Sequence, residues 1–382
     1  MALPISRRRR LPSLLTRIRK LARRLTRRLL RAGHSSTGTL LVMLAFGVLW
    51  SAAQPTSAEA SGVFLLYHHI DTTTPAVTST TPDDFDAHLE WLAVNDFTVW
   101  PASKLIAGLR AGSVPERTVA ITFDDAYASL LEHAAPKLAA RGWPFTLFVA
   151  TGPIGQRGYL SWADLHEVLK LGGELGNHTA SHTHLQRRPP GETRDAWEAR
   201  VAEEIDGATK ALRERLDVTP TLFAYPYGEY SAEVQSIVRA KGLVGFGQQS
   251  GAAGTRSDFS VLPRFSLSGV YGKDLDAFAT KARTLPLPVR GPLPEPIALE
   301  PRPTLLLTFD PDFDPESLAC FGPGGRMDID LDAAGRARIR PVADLPPGRS
   351  RYNCTSRTAT GRYHWFSQLW IMRRSDGTWL PE

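Results

Sequence analysis

Three short segments of this sequence concentrate the side chains that could do chemistry. Residues 122–125 end in two adjacent carboxylates, and residues 176–184 hold three of the ten histidines. Residues 223–230 form an aromatic stretch that also contains a proline and a glycine. Each segment follows a predicted strand, and α/β proteins place their reactive groups in the loops after parallel strands. We therefore expect the three segments to share one site.

The first two segments together could bind a metal ion. His178 and His182 are four residues apart, a spacing that brings both imidazoles to one face of a helical turn or a similar loop. With one carboxylate they supply three ligands and leave a position for water, as in catalytic zinc sites. The spare carboxylate, Asp124, could then deprotonate that water. Two histidines and a carboxylate also suit non-haem iron, and an Asp pair can simply cap a helix.

The positive charge of the chain is confined to its N-terminal part. The 382 residues carry 45 basic and 39 acidic side chains, a formal charge of +6. Residues 1–58 contain twelve Lys and Arg and no acid, which leaves 33 basic and 39 acidic groups elsewhere. The folded part is therefore mildly acidic, and nucleic acid is not an expected partner.

Residues 1–60 are predicted to export the folded part. The basic stretch precedes an apolar run from Leu40 to Trp50, and residues 58–60 match a signal-peptidase site that would release Ser61. The run is shorter than the ~20 residues of a membrane span. An uncleaved anchor is the alternative, with membrane association through this segment. Both predict a location in the periplasm or cell envelope.

The rest of the chain divides into an α/β part and a β part. Residues 61–284 alternate strand and helix patterns, which predicts a mostly parallel sheet or barrel. Residues 285–303 contain seven prolines and are expected to form a stiff linker. Short strand patterns over residues 304–382 predict a small β-sandwich, whose partner the sequence does not reveal.

The two cysteines of the sequence both lie in the β part. Cys320 and Cys354 are expected to form one disulfide, which an exported protein permits, although two separate buried thiols would also fit.

The α/β part resembles the NodB-homology polysaccharide deacetylases over roughly residues 61–270. The resemblance rests on TFDD at 122–125, on the His178-Thr-x-x-His182 spacing, and on AYPYG at 224–228, in that order. It implies a distorted (β/α) barrel and metal-dependent removal of N-acetyl groups from amino sugars.

The same resemblance implies a role for each motif residue. Asp124 would be the general base, and Asp125, His178 and His182 the metal ligands. The backbone N–H of Tyr227 would contribute to the oxyanion hole. Zn²⁺ is the expected ion, with Ni²⁺, Co²⁺ and Fe²⁺ as alternatives.

Two departures from the family pattern assign further residues. Family members often carry an arginine where Ala224 stands, and we expect Arg264 to replace it in orienting the base. The family's Leu-x-His motif is absent from its usual late position but matches residues 66–68. This permuted order resembles the poly-β-1,6-N-acetylglucosamine deacetylase branch. His68 is therefore the expected general acid, with His69 as the alternative.

The sequence thus predicts an exported, metal-dependent hydrolase that removes N-acetyl groups from an exopolysaccharide such as poly-N-acetylglucosamine. Two alternatives stay open: an esterase or deacetylase acting on O-acetyl groups, peptidoglycan or chitin, and a catalytically silent glycan-binding protein. We also expect the barrel to act on short oligomers without the β part.

Overall fold

The computed structural model describes residues 59–381. The predicted export signal, with its apolar run, lies outside the described residues. In the part of the chain that is described, no helix is both long and apolar enough to cross a membrane. Glu59 already belongs to the folded unit, because its carboxylate accepts a hydrogen bond from the Thr255 hydroxyl (2.7 Å) and pairs with Arg256 (3.0 Å). The compact unit thus begins two residues before the predicted cleavage product.

A curled, mostly parallel sheet is the frame of the first domain. The strands of this domain are β1 (Ser61–Tyr67), β2 (His69–Ile70), β3 (Ser79–Thr80), β4 (Thr98–Val99), β5 (Thr118–Phe123), β6 (Phe145–Val149), β7 (Gly173–Asn177), β8 (Leu222–Ala224), β9 (Val244–Phe246), β10 (Ala253–Gly254) and β11 (Phe265–Ser266). The main path of the sheet runs β10-β1-β5-β6-β7-β8-β9, with β11 beside β1 and β4 beside β5. Strands β2 and β3 pair separately. Because β1, β5, β6, β7, β8 and β9 are parallel neighbours, their carboxyl ends lie along one edge.

Helices cover the sheet and explain why its central strands are apolar. They are α1 (Pro82–Val94), α2 (Ala102–Ala111), α3 (Ala135–Ala139), α4 (Trp162–Lys170), α5 (Arg194–Leu216), α6 (Ala232–Ala240), α7 (Val270–Lys273) and α8 (Leu275–Ala282), with a π-helix at Leu130–Ala134. Helix α1 begins at a Thr81 cap whose hydroxyl accepts from the Asp84 N–H (3.0 Å). All six residues of β5 are buried, as expected for a strand covered on both faces. The predicted α/β barrel class is confirmed.

The C-terminal part is β-rich, as predicted. Its strands are β12 (Leu285–Pro286), β13 (Val289–Arg290), β14 (Ile297–Ala298), β15 (Leu305–Phe309), β16 (Ala319–Gly322), β17 (Gly325–Arg326), β18 (Asp328–Leu331), β19 (Ala337–Arg340), β20 (Gly348–Arg357) and β21 (Tyr363–Met372). One sheet has the order β12-β21-β20-β16-β17, with β14 also on β21, and the other has the order β13-β15-β19-β18. Cys320 and Cys354 are directly opposite residues of β16 and β20 and are joined by a disulfide. Leu305, Leu307 and Trp370 lie in the core of this part.

The proline-rich segment 285–303 pairs with other strands, whereas the sequence predicts a stiff linker. It is extended, because proline fixes φ and lacks an amide donor, but it is not a free spacer. Its strands β12 and β14 pair with β21, and β13 pairs with β15. Proline fits these short edge pairings because a strand at a sheet edge does not need every amide. The segment is therefore part of the C-terminal sheets.

The two parts also share a hydrophobic cluster. Leu369 and Ile371 of β21 are 1% exposed and pack in one cluster with Tyr225, Tyr230 and Val234 of the barrel. Burial of this kind contributes roughly 25 cal/mol for each Å² of apolar surface removed from water. Residues from Glu59 onward consequently form one compact unit.

Candidate active site

The carboxylate pair follows β5 at the edge where the parallel strands end. Asp125 and Ala126 have φ values of 74° and 63°, in the left-handed region that few non-glycine residues adopt. Such backbone persists where surrounding contacts over-determine it, and it is frequent at functional sites. This turn lets neighbouring carboxylates point in different directions: Asp124 meets Arg264, and Asp125 meets the two imidazoles.

The histidine segment forms a loop after β7. Hydrogen bonds from side chains within the segment fix its conformation. The Asn177 carboxamide oxygen accepts from the Thr179 N–H at 2.8 Å, and the Thr179 hydroxyl accepts from the His182 N–H at 3.0 Å. Thr179 and His182 have φ values of 69° and 56°, so the segment is not a helical turn. The four-residue spacing nevertheless brings the rings of His178 and His182 together, with their centroids 4.8 Å apart.

Asp125, His178 and His182 form a group that could hold a metal ion. One ligand atom from each lies within 4.8 Å of the others. The Nε2 atoms of both histidines are 3.2 Å from Asp125 Oδ1. Among the described residues, neither Asp125 Oδ1 nor His178 Nε2 has a hydrogen-bond partner, although both are buried. Buried polar atoms are rarely left without a partner, so this convergence calls for one.

The tautomer of His178 shows what kind of partner fits. Its Nδ1–H donates to the Ala224 carbonyl at 2.8 Å, so the neutral ring presents a lone pair at Nε2. That lone pair faces the lone pairs of Asp125, and a cation is the species that brings two such atoms together. A carbonyl behind the ring is also how proteins fix a metal-binding imidazole. The donor set therefore fits a divalent ion.

The pKa directions at this group agree with a need for positive charge. Burial alone would raise the pKa of Asp125, but the imidazoles of His178 and His182 outweigh burial and hold it well below its usual value. Burial would lower the pKa of His178, yet Asp124 and Asp125 outweigh that and raise it. The negative charge of these two carboxylates can therefore be balanced only by a bound proton or a nearby cation.

Asp124 is held by a buried arginine. Its two oxygens accept from the two terminal nitrogens of Arg264, each at 2.7 Å, and both residues are at most 1% exposed. The guanidinium also donates through Nε to the Gly247 carbonyl at 2.9 Å. Burial would raise the pKa of Asp124, but Arg264 outweighs burial and lowers it, so the carboxylate stays ionised. The structure thus places Arg264, the arginine proposed from the sequence to orient the base, directly against Asp124.

His68 follows β1 and lies beside this pair. Its Nε2 is 4.0 Å from Asp124 Oδ2, and its buried Nδ1 has no hydrogen-bond partner among the described residues. Burial lowers the pKa of His68, opposed by Asp125 and Asp124. The neighbouring His69 points elsewhere, with its ring stacked on Tyr127 at a centroid distance of 3.5 Å.

The aromatic segment forms a tight turn, Pro226–Gly228, after β8. Tyr227 has φ 60° and ψ 3°, and its ring contacts the ring of His182 at 4.5 Å. The same ring stacks on His184 at 4.0 Å. His184 itself donates through Nδ1 to the buried Glu229 carboxylate at 2.7 Å. Tyr227 therefore lies next to the group of residues that could hold a metal ion.

Sequence reasoning gave no role to Glu229 or to Arg349. Glu229 is 3% exposed and binds His184 from behind the turn. An acid inside an aromatic turn is a signal that could have drawn attention to it. Arg349 lies on β20 and donates to the Tyr227 carbonyl at 2.6 Å. Nothing in the local sequence around Arg349 indicates that contact.

Comparisons with known proteins bear on the family and the fold of the barrel. Residues 111–246 match the polysaccharide deacetylase family. The poly-β-1,6-N-acetyl-D-glucosamine N-deacetylase of Staphylococcus aureus strain MRSA252 is 26% identical over 197 residues, which cover 50% of this chain and 68% of that protein.

Solved structures show the same fold. The structure of IcaB from Ammonifex degensii matches with a TM-score of 0.50 and 25% identity, over 59% of this chain and 99% of that one. The Streptococcus pyogenes deacetylase PplD, solved with acetate, matches with a TM-score of 0.52 and 21% identity, over 58% of this chain and 99% of that chain. Residues 111–246 of the barrel therefore match the polysaccharide deacetylases, a family of hydrolases, as the three motifs predicted.

Proposed function

We propose that this protein is an exported, metal-dependent de-N-acetylase of poly-β-1,6-N-acetylglucosamine. It would hydrolyse the acetamide of a sugar unit, releasing acetate and leaving a free amine. The observation that carries the proposal is the convergence of Asp125, His178 and His182 within 4.8 Å, beside an arginine-held Asp124. The named relative from Staphylococcus aureus favours this polymer as the substrate.

The metal ligands in this proposal are one carboxylate and two imidazoles. This donor set suits Zn²⁺, with Ni²⁺, Co²⁺ and Fe²⁺ as alternatives. A divalent ion held there would polarise the acetamide carbonyl and acidify a water molecule. The second nitrogen of His178 is committed to the Ala224 carbonyl, so Nε2 is the atom directed to the ion.

Asp124 is the proposed general base. Its carboxylate accepts a proton from the attacking water, and Arg264 keeps it ionised and aimed by two bonds of 2.7 Å. The C–N bond of the acetamide then breaks, and the leaving nitrogen needs a proton. His68 is the proposed donor, since its Nε2 lies 4.0 Å from Asp124 Oδ2 on the same side of the site.

The backbone N–H of Tyr227 is the proposed oxyanion donor. The turn that carries it touches the ligand group through the ring contact of Tyr227 with His182 (4.5 Å). A backbone donor in a rigid turn stabilises developing negative charge without reorganising during the reaction. Export through the N-terminal segment would bring the enzyme to its polymer outside the cytoplasm.

Asp124→Asn tests the base directly. Because the amide cannot accept the water's proton, acetate release should fall by about 10²–10⁴-fold. Metal content, measured by mass spectrometry of the purified protein, should stay at the wild-type ratio. Asp125→Asn is the matched control: it should lose both metal and activity. Unchanged acetate release from Asp124→Asn would refute the assignment of the base.

Defined substrates separate the alternatives. Metal-loaded protein should release acetate from β-1,6-linked N-acetylglucosamine oligomers faster than from chitin oligomers, peptidoglycan or O-acetylated sugars. A preference for one of those would replace the proposed substrate. Binding of glycans without any acetate release would favour the silent glycan-binding protein instead.

A further inference from the structure

Arg349 of the C-terminal β part contacts the proposed oxyanion turn. This residue lies at the start of β20 and is outside the segment 111–246 that matches the deacetylase family. Its terminal nitrogen donates to the Tyr227 carbonyl at 2.6 Å, and the guanidinium lies over the Tyr227 ring, 5.6 Å from its centroid. The Arg349 Nε is 3.8 Å from Glu229 Oε1. Arg349 thus contacts two residues of the turn.

The turn needs such contacts because its backbone is unfavourable. Tyr227 has φ 60°, and the next residue, Gly228, has φ 67°. Left-handed backbone costs a residue with a side chain roughly 1–2 kcal/mol, and glycine escapes that cost. The N–H and C=O of Tyr227 are linked through its own φ and ψ. A bond that anchors the carbonyl therefore also fixes the direction of the N–H.

Glu229 holds the other side of the same turn. Its buried carboxylate accepts hydrogen bonds from His184 and Gln186, and Arg187 and Arg349 each approach Oε1 to 3.8 Å. The His184 ring lies parallel to the Tyr227 ring, 16° between planes. The carboxylate contacts the imidazole, the imidazole stacks on the phenol ring, and the guanidinium lies near both the phenol ring and the carboxylate.

We propose that Arg349 is a positioning residue that holds the Tyr227 N–H in the direction needed to bind the oxyanion. The inference rests on the proposed deacetylase function. It gives the β part a role in catalysis: the sheet that carries β20 supplies a fixed cation to a turn of the barrel. Because the Arg349 side chain is 41% exposed, its replacement should leave the core of the protein intact.

Arg349→Gln is the main test. We expect kcat for an N-acetylglucosamine oligomer to fall about tenfold while KM changes less than twofold, because the lost alignment acts on the transition state only. The affinity for a tetrahedral phosphonate analogue of the acetamide should fall by the same factor as kcat. Arg349→Lys, which keeps one donor, should recover part of the loss. Equal weakening of substrate and analogue would overturn the assignment.

The matched control is Arg357→Gln, at the far, exposed end of the same strand. It should keep wild-type kinetics, metal content and melting temperature. A second readout does not depend on activity: hydrogen–deuterium exchange of the peptide covering residues 223–231 should be faster in Arg349→Gln than in Arg357→Gln. Equal exchange in the two variants would overturn the inference, whether or not the wild-type protein releases acetate. Absence of acetate release from the wild-type protein would instead reject the proposed function.

Discussion

At the residue scale, the site is a set of buried charges that hold one another in place. Asp124 and Arg264 are buried together and joined by two short bonds, and Asp125 faces two imidazoles across 3.2 Å. A buried ion pair contributes little net stability, since desolvation offsets the attraction between its charges. Removing one partner costs far more free energy than the intact pair contributes, because the remaining charge is left buried without its counter-charge. The pair therefore serves to fix the orientation of Asp124 and to keep it ionised rather than to stabilise the fold.

Arg264→Lys tests this role while keeping the positive charge buried. Lysine cannot make the two parallel bonds of a guanidinium, so Asp124 would lose its fixed orientation. We expect kcat to fall about 10- to 100-fold with metal content unchanged. Because Arg264 is the largest of the influences that lower the pKa of Asp124, weakening the pair raises that pKa, and the acidic limb of the kcat/KM profile should move to higher pH.

The control for this variant is Arg239→Lys, whose guanidinium donates to the Ser260 hydroxyl at 3.0 Å rather than to a carboxylate of the site. It should keep the wild-type rate and pH profile. If Arg264→Lys also kept both, Arg264 would have no part in orienting the base.

At the element scale, helix α1 is docked by a buried histidine. The Tyr67 hydroxyl donates to His88 Nδ1 at 3.1 Å, and His88 Nε2–H donates to the Gly272 carbonyl at 2.8 Å. The ring also stacks on Phe278 at 4.1 Å. These contacts join α1 to β1, α7 and α8, and the neutral imidazole satisfies both hydrogen bonds. Burial lowers the pKa of His88 to about 4.

This depressed pKa predicts how stability depends on pH. The unfolded chain binds a proton at His88 near its ordinary pKa of about 6.5, whereas the folded protein binds it only near 4. Protonation therefore favours the unfolded state as pH falls below 6.5, and the loss is complete below 4. Between pH 7 and pH 5 this residue alone should reduce the free energy of unfolding by about 2 kcal/mol.

Urea unfolding of His88→Gln at pH 7 and pH 5 measures this contribution. The variant should lose less stability than the wild type across that interval, by about the same 2 kcal/mol. His166→Gln, which removes an exposed imidazole from α4, is the control and should follow the wild type. An identical pH dependence in all three proteins would show that His88 does not carry the effect.

At the scale of the whole molecule, two cores behave as one unit. The β part has its own core around Leu305 and Trp370, yet Leu369 and Ile371 of β21 complete the packing of the barrel. Arg349 adds a polar contact to the proposed active site. The barrel is therefore expected to depend on the β part, in contrast to the independence that the proline-rich segment suggests from the sequence.

Leu305→Ala, in the core of the β part, tests whether the barrel and the β part unfold together. Leu305 is fully buried in the β part, and truncation should cost about 2–5 kcal/mol. We expect a single thermal transition, lowered by several degrees, with acetate-releasing activity lost at the same temperature as structure. Leu306→Ala, at the adjacent 56% exposed position, should leave the midpoint unchanged. An early transition of the β part with activity retained would contradict the coupling.

The sequence by itself determined the barrel class and indicated candidate residues for the site. This was possible because most of the candidate residues lie in short segments that follow strands, and parallel strands end at one edge. The alternation of strand and helix patterns then sufficed to bring residues 122–125, 176–184 and 223–230 to that edge.

The tertiary structure decided the geometry of the long-range contacts, and it alone revealed the contact of Arg349 with Tyr227. Arg264 and Asp124 are 140 residues apart, and Arg349 and Tyr227 are 122 apart, so no local pattern encodes either contact. The same applies to the proline-rich segment, whose extended backbone is fixed by proline but whose pairing partner, β21, comes later in the chain. Long-range pairing depends on the packing of the complete fold, and that packing is what joins the β part to the turn that contains Tyr227.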